Sequence, residues 1–309
     1  LDKTIEGYLA QLRGALAGAD PALAQDALYD AEEYLRSASA EAGGTPEAEA
    51  AAIDAYGTAE EIAAAYRDAE ITVKAALRAP RPVRSDNPFA RFFGVIADPQ
   101  AWGSLFYMAL ALVTGIVYFT VVVTGLSLSF GLSVLIVGAP IALLFLAAVR
   151  AISLAEGRMV EGLLGERMPR RPRMVGAQGN LWERIKSWFT DHRTWTTMLY
   201  MLLQLPLGIA YFTLLVTAVA SSFGLIALPI VQDLSSIPTL VWDGYAHEIL
   251  PWAQPLVIAL GIIGFFVTLW IAKGVGRLHA AWAKVMLVGR FEGAAASAEG
   301  AAVVEGNAS

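Results

Sequence analysis

Residues 98–131 read DPQAWGSLFYMALALVTGIVYFTVVVTGLSLSFG, and residues 191–224 read DHRTWTTMLYMLLQLPLGIAYFTLLVTAVASSFG. A shift of 93 lays Asp98, Trp102, Tyr107, Met108, Gly115, Tyr118, Phe119, Thr120, Thr124, Ser129, Phe130 and Gly131 on Asp191, Trp195, Tyr200, Met201, Gly208, Tyr211, Phe212, Thr213, Thr217, Ser222, Phe223 and Gly224. Shared hydrophobicity alone would exchange Leu for Val. It would not match polar, aromatic and glycine positions one for one. The two stretches therefore read as copies of one unit.

The surrounding sequence makes that unit a membrane unit. No Asp, Glu, Lys, Arg or His occurs in the 51 residues 99–149, the 39 residues 194–232 or the 24 residues 249–272. A bilayer crossing takes about 20 apolar residues, so the first span holds two helices and each of the others holds one. The four crossings are expected at 102–123, 134–154, 195–221 and 255–272, with a tight Gly/Ser-rich turn at 124–133. The fourth is followed by a separate amphipathic helix carrying Arg277, Trp282, Lys284 and Arg290. The fold class is all-α: a small cytoplasmic helical domain of three or four helices, then a bundle of four transmembrane helices made of two tandem repeats, with interfacial amphipathic helices.

Lys and Arg cluster before the first crossing, between the second and third, and after the fourth, and are absent from the other two loops. The positive-inside rule then puts both termini and the connector in the cytoplasm. Two copies of an even number of crossings share one orientation, related by an axis along the membrane normal. Leu163-Leu164-Gly165 falls on Leu287-Val288-Gly289 at a shift of 124, which places a 31-residue insertion in the external loop 223–254. The domain boundaries that follow are 1–70, an acidic helical head; 71–97, a basic linker and interfacial segment; 98–165, membrane repeat 1; 166–190, a basic connector; 191–290, membrane repeat 2; and 291–309, a disordered tail.

The head has its own pattern. Ile5, Tyr8, Leu9, Leu12 and Leu16 recur at helical spacing. Asp20-Pro21 and Thr45-Pro46 open two further helices, and Thr58-Ala59-Glu60-Glu61 has the form of a capping box. Residues 1–70 hold 15 acidic and 4 basic side chains, against 13 and 18 in the remainder. Such a head suits neither nucleic acid, which needs a basic footprint, nor an anionic bilayer surface. A cytoplasmic or membrane protein partner, or simple solubility, fits it better. A core drawn from roughly 70 residues supplies only a few kcal/mol, so the head should lean on the membrane domain or on a partner. Its first residues, polar and helical, lack the form of a signal peptide.

Candidate sites follow from residue type and depth. Tyr118, Thr120, Thr124 and their copies Tyr211, Thr213 and Thr217 form either a polar seam for a lipid or small amphiphile, or close helix packing aided by Gly115 and Gly208. Gln204 with Pro206 suggests a kink in the third crossing, with the amide satisfying a freed carbonyl. Trp102, Tyr107, Trp195, Tyr200 and Trp252 read as membrane-interface anchors. Arg167, Arg170, Arg171 and Arg173 on the connector could contact anionic lipid, or could serve only to set topology. Asp233, Asp243, His247 and Glu248 in the external loop match no familiar metal-ligand spacing, and no metal or cofactor is expected. There is no cysteine, no phosphate-binding loop and no nucleophile–base grouping, so no enzymatic activity is expected. The two longest charge-free spans argue against an ion path.

Two resemblances coincide with these boundaries. Residues 1–70, through Tyr8-Leu9-x-x-Leu12, Glu32-Glu33-Tyr34-Leu35, Thr45-Pro46-Glu47 and Tyr56-Gly57-Thr58-Ala59-Glu60-Glu61-Ile62-Ala63, resemble the helical signalling domain HAAS, related to DUF1700. Residues 98–290, through Asp98-Pro-x-x-Trp102, Asp191-x-x-x-Trp195 and Leu207-Gly-Ile-Ala-Tyr-Phe-Thr213, resemble the bacterial "putative sensor" membrane domain found as the input of histidine kinases. The resemblances imply a non-enzymatic sensor or regulatory protein of the bacterial cytoplasmic (inner) membrane, passing an envelope or lipid signal through the head to a protein partner. An accessory subunit of a larger membrane complex, homo- or hetero-oligomeric, is the alternative.

Overall fold

The computed structural model describes residues 4–77, 87–132, 138–171, 191–235 and 240–288. Arg173, Arg290 and the 291–309 tail lie outside them.

Four helices make the head: α1 (Ile5–Ala15), α2 (Pro21–Glu41), α3 (Pro46–Tyr56) and α4 (Ala59–Leu77). Each starts where the side chains dictate. Thr4 accepts from the Gly7 amide, Asp20 from Ala22 and Thr45 from Ala48, so each cap satisfies an amide that the helix itself cannot. Thr58 and Glu61 exchange the two bonds of a capping box, 3.1 and 3.3 Å. The core they enclose is small: Tyr8, Leu12, Leu16 and Leu35 among alanines Ala24, Ala27, Ala31 and Ala63. Helix α4 runs on to Leu77, into the stretch assigned by sequence to the linker. Then α5 (Pro88–Phe93) and a 3₁₀ turn (Gly94–Ala97) lie along the membrane domain. Phe93 packs edge-on against Phe266, and the Trp270 indole donates to the Phe92 carbonyl at 3.1 Å.

The membrane domain consists of α6 (Pro99–Gly131), α7 (Gly138–Met159), α8 (His192–Ser235) and α9 (Gln254–Leu287). A π turn at Val160–Leu164 prolongs α7. All four are long and apolar enough to cross a membrane, and Val113, Ile116, Leu144, Leu199, Ile209, Leu260 and Ile263 stand exposed on their flanks. That is the arrangement of a multi-pass membrane protein: the solvent of the outer face is lipid.

Every one of these helices is longer than the charge-free spans suggested. At 1.5 Å per residue the 44 residues of α8 extend roughly 66 Å, about twice a bilayer core. Apolar composition reports where lipid ends, whereas a helix ends only where capping or sterics stop it. Three expectations are corrected accordingly. The turn at 124–133 is helix as far as Gly131, and the amphipathic helix after the fourth crossing is the continuation of α9. The external loop 223–254 is helix to Ser235, followed by the two-stranded hairpin β1 (Leu240–Trp242) and β2 (Tyr245–His247). Asp243 and Gly244 turn the hairpin with φ of 53° and 79°, the primed geometry that matches strand twist. Gln232 at the end of α8 holds the following loop, accepting from the Ile249 amide at 2.8 Å and donating to the Ile249 carbonyl at 3.0 Å.

Helices α6 and α8 form the centre and touch backbone to backbone. A Cβ on Gly115 would lie 2.7 Å from the Gln204 carbonyl oxygen, and one on Gly208 would lie 2.3 Å from that of Ala111. The two contacts exchange under the 93-residue shift, since Ala111 falls on Gln204. Helix α9 packs along both α8 and α6; α7 packs along α6 and meets α8 only sparsely. The side chain of Gln204 turns toward Tyr107 at 3.1 Å rather than toward a carbonyl freed by Pro206.

Candidate functional site: a buried acid–base centre beneath a docked head

Where α6, α7, α8 and α9 meet, Glu156 is 1% exposed and His279 is 1% exposed. Glu156 comes from the last turns of α7 and His279 from the last third of α9. Tyr107 reaches Glu156 Oε1 at 2.5 Å and Tyr200 reaches the same oxygen at 2.7 Å. Tyr118 reaches Oε2 at 2.7 Å. The same two phenols meet His279 Nε2, Tyr107 at 2.6 Å and Tyr200 at 3.0 Å, and Tyr211 meets Nδ1 at 3.3 Å.

All three phenols donate to the Glu156 carboxyl group, and which of the Tyr107, Tyr200 and Tyr211 oxygens donate to or accept from His279 follows from its tautomer. Three O–H donors on one carboxylate supply the charge-assisted bonds that make a buried charge tolerable. Gln204 Nε2 adds a donor to the Tyr107 oxygen at 3.1 Å, while its Oε1 has no partner among the described residues.

The shift of 93 exchanges Tyr107 with Tyr200 and Tyr118 with Tyr211, and a shift of 123, one less than the 124 read from Leu163-Leu164-Gly165, carries Glu156 onto His279. That second shift also carries the buried Gly138, Leu146, Val149 and Val160 onto the buried Gly261, Leu269, Ala272 and Ala283. Corresponding positions thus hold an acid in one half and a base in the other, bridged by paired tyrosines.

A few residues beyond Glu156 the chain leaves the bundle and meets the head. Arg167, 7% exposed, pairs with Asp26 at 2.8 Å, Glu70 at 3.3 Å and Glu161 at 3.7 Å. The backbone amides of Arg170 and Arg171 both donate to Asp26 Oδ1 at 2.8 Å. Arg170 also pairs with Glu161, and Arg171 with Asp30. Lys284 of α9 bridges Asp20 at 2.9 Å and Glu166 at 2.6 Å. Burial pushes the Asp26 carboxyl above the ordinary carboxylate range, and the Arg171 amide and Arg167 guanidinium pull it part of the way back. The head therefore leans on the membrane domain, and its acidity faces the connector's arginines.

Several expected site residues lie elsewhere. Tyr107 and Tyr200 are 1% and 0% exposed: they are the bridge of the buried centre and not interface anchors, because they sit more than a turn inside Trp102 and Trp195. Trp102, Trp195 and Trp252 are exposed at 44%, 45% and 69%. The expected seam divides. Tyr118 and Tyr211 turn inward, while Thr120, Thr124, Thr213 and Thr217 stand exposed on the outer face, since two residues along a helix is about 200° of rotation. Arg167, Arg170 and Arg171 are engaged by carboxylates of the head and α7 rather than by lipid. The sequence does not single out Glu156 and His279, because both lie beyond the charge-free spans 99–149 and 249–272 that bound the expected crossings. Asp233 accepts from Gln254 at 2.8 Å, and among the described residues no group of three or more His, Asp or Glu could hold a metal.

The family model described as "putative sensor" matches residues 107–287, and that of HAAS matches residues 7–65. Neither the curated proteins nor the solved structures yield a match.

Proposed function

This chain belongs to the "putative sensor" family and carries a HAAS domain before it, and from that premise we propose that it is a non-enzymatic sensor of the bacterial cytoplasmic membrane. Both termini face the cytoplasm, the two membrane halves are tandem copies about one axis, and the head passes the state of the bundle to a protein partner. One observation carries the reading: the segment that locks the acidic face of α2, through Arg167, Arg170 and Arg171, is the direct continuation of the helix that carries Glu156. A rearrangement around Glu156 and His279 moves the arginines that hold the head. The partner's binding surface on the head is then offered or withheld.

Hydrogen exchange on the full chain in lipid nanodiscs tests this. Glu156→Gln removes the charge that organises three phenols without touching the head. It should speed exchange in residues 20–31 of α2, which make no contact with Glu156. Wild-type protection there, in a variant that remains folded, would reject coupling between the two.

A further inference from the structure

We infer that the acidic face of α2 and α4 is the head's partner-binding surface, that it takes an arginine-bearing segment, and that the connector occupies it in cis as a stand-in for that segment. The inference deepens the reading above and rests on it for the trigger that vacates the face.

The connector meets the head as a segment and not as a helix. Gly165 ends the π turn at φ 74°. Pro169 has no amide and disfavours helix at the residue before it, and residues 165–171 form neither helix nor strand. The amides that follow Pro169 therefore lack helical partners, and the head supplies them. Asp26 Oδ1 accepts from the amides of Arg170 and Arg171 at 2.8 Å each, and the Gln25 side-chain amide donates to the Arg171 carbonyl at 2.9 Å. Main-chain bonds of this kind are open to any segment that lies the same way.

Specificity comes from two side chains four residues apart. Arg167 enters between Asp26 and Glu70, 2.8 and 3.3 Å away. Arg171 pairs with Asp30 at 2.9 Å and lies over the Tyr29 ring, 5.7 Å from its centroid. The Tyr66 hydroxyl donates to the other Asp30 oxygen at 2.9 Å and fixes that carboxylate. A planar guanidinium suits both places, since it forks toward carboxylates and stacks on aromatic rings where an ammonium is only a point charge. Met168 and Arg170, between them, serve the membrane domain: Met168 is buried in its core and Arg170 turns back to Glu161. The face thus reads Arg-x-x-x-Arg.

Asp26, Asp30 and Glu70 stay with the head when the connector leaves, and so do the Gln25 amide and the Tyr29 ring. What they offer then is an acidic face matched to a second arginine-bearing segment. A cis segment acts at an effective concentration of order millimolar, so the partner's segment competes poorly until the connector is displaced.

A fluorescent peptide GERMPRR, the sequence of residues 165–171, is the probe, and its anisotropy with the full chain in phosphatidylcholine nanodiscs is the readout. Arg167→Met/Arg171→Gln disarms the connector in cis. This variant should bind the peptide about tenfold more tightly than the wild type, whose face is occupied. Adding Asp26→Asn/Asp30→Asn to the chain should remove the gain, and so should Arg167→Gln/Arg171→Gln within the peptide. Arg171→Gln alone, at a half-exposed side chain, should tighten binding about threefold, the effect of one such ion pair, and decides the matter if the double variant fails to fold. Binding no tighter in these variants than in the wild type, or equal binding of the glutamine peptide, overturns the proposal and leaves the connector an intramolecular lock only. Glu156→Gln separates the two readings. Wild-type peptide affinity there, beside a gain in the arginine variants, keeps the face and rejects the coupling. Faster exchange in residues 20–31 of Glu156→Gln, with no gain in the arginine variants, keeps the coupling and overturns the face.

Discussion

Replacing Arg167 with Met should release the head. The guanidinium is enclosed by three carboxylates, Asp26, Glu70 and Glu161, at 2.8, 3.3 and 3.7 Å, and each of the four side chains is no more than 10% exposed. Methionine matches the stem of arginine and leaves three carboxylates facing one another with their central cation gone. Breaking a buried ion pair from one side costs about 3–5 kcal/mol. The protein need not bear that cost while docked, because an undocked head returns Asp26 and Glu70 to water. The penalty is thus capped by the docking free energy, and at about 3 kcal/mol the docked fraction shifts by roughly 10²-fold. Hydrogen exchange across α2 in nanodiscs reads this directly, with helicity by circular dichroism showing that the head itself stays folded. Arg36→Met serves as the comparison. Its partners Glu6 and Glu32 lie within the head, and its own side chain is 29% exposed, so a surface-pair loss below about 1 kcal/mol is expected. Wild-type protection of α2 in Arg167→Met would show that the arginine cluster does not hold the head.

Gly115→Ala and Gly208→Ala each drive a methyl into the facing backbone; each should lower the stability of the bundle by about 1–3 kcal/mol, read as thermal unfolding in detergent, and wild-type behaviour would disprove the close crossing of α6 and α8. In the head, burial pushes the Tyr8 phenol up to about 12 and raises Tyr56 and Tyr66 as well. Because the folded state favours the neutral phenols, its stability is intact below the ordinary tyrosine value near 10 and declines as pH rises from there toward 12; circular dichroism that is flat across that window would contradict the burial. Cysteines placed at Asp243 and Arg171 in this cysteine-free chain should be labelled from opposite sides of the membrane, and labelling of both from one side would end the topology proposed here.

The membrane architecture was legible because charge is absent over whole crossings and because polar positions recur at a fixed shift. The head was legible because its caps are local: Thr4, Asp20, Thr45 and Thr58 act within three residues of themselves. What escaped was anything requiring depth or partnership. Tyr107 and Tyr200 looked like interface aromatics because apolar runs mark bilayer thickness only coarsely, although Trp102 and Trp195 already occupied that role. Glu156 and His279 are separated by 123 residues, and nothing local ties an acid on one helix to a base on another. Arg167 is one basic residue among several in the connector until the fold brings Asp26, 141 residues away, against it.

The π turn at Val160–Leu164 carries one more consequence. It holds an i→i+5 step between Glu156 and Arg167, one residue of slack wound into an otherwise regular helix. Tightened to ordinary α geometry, it would swing everything after it by about 100° and advance it about 1.5 Å. On the coupling proposed above, the segment would act as an escapement: a small rewinding near the bundle's acid would become a large turn of the arginine that clasps the head.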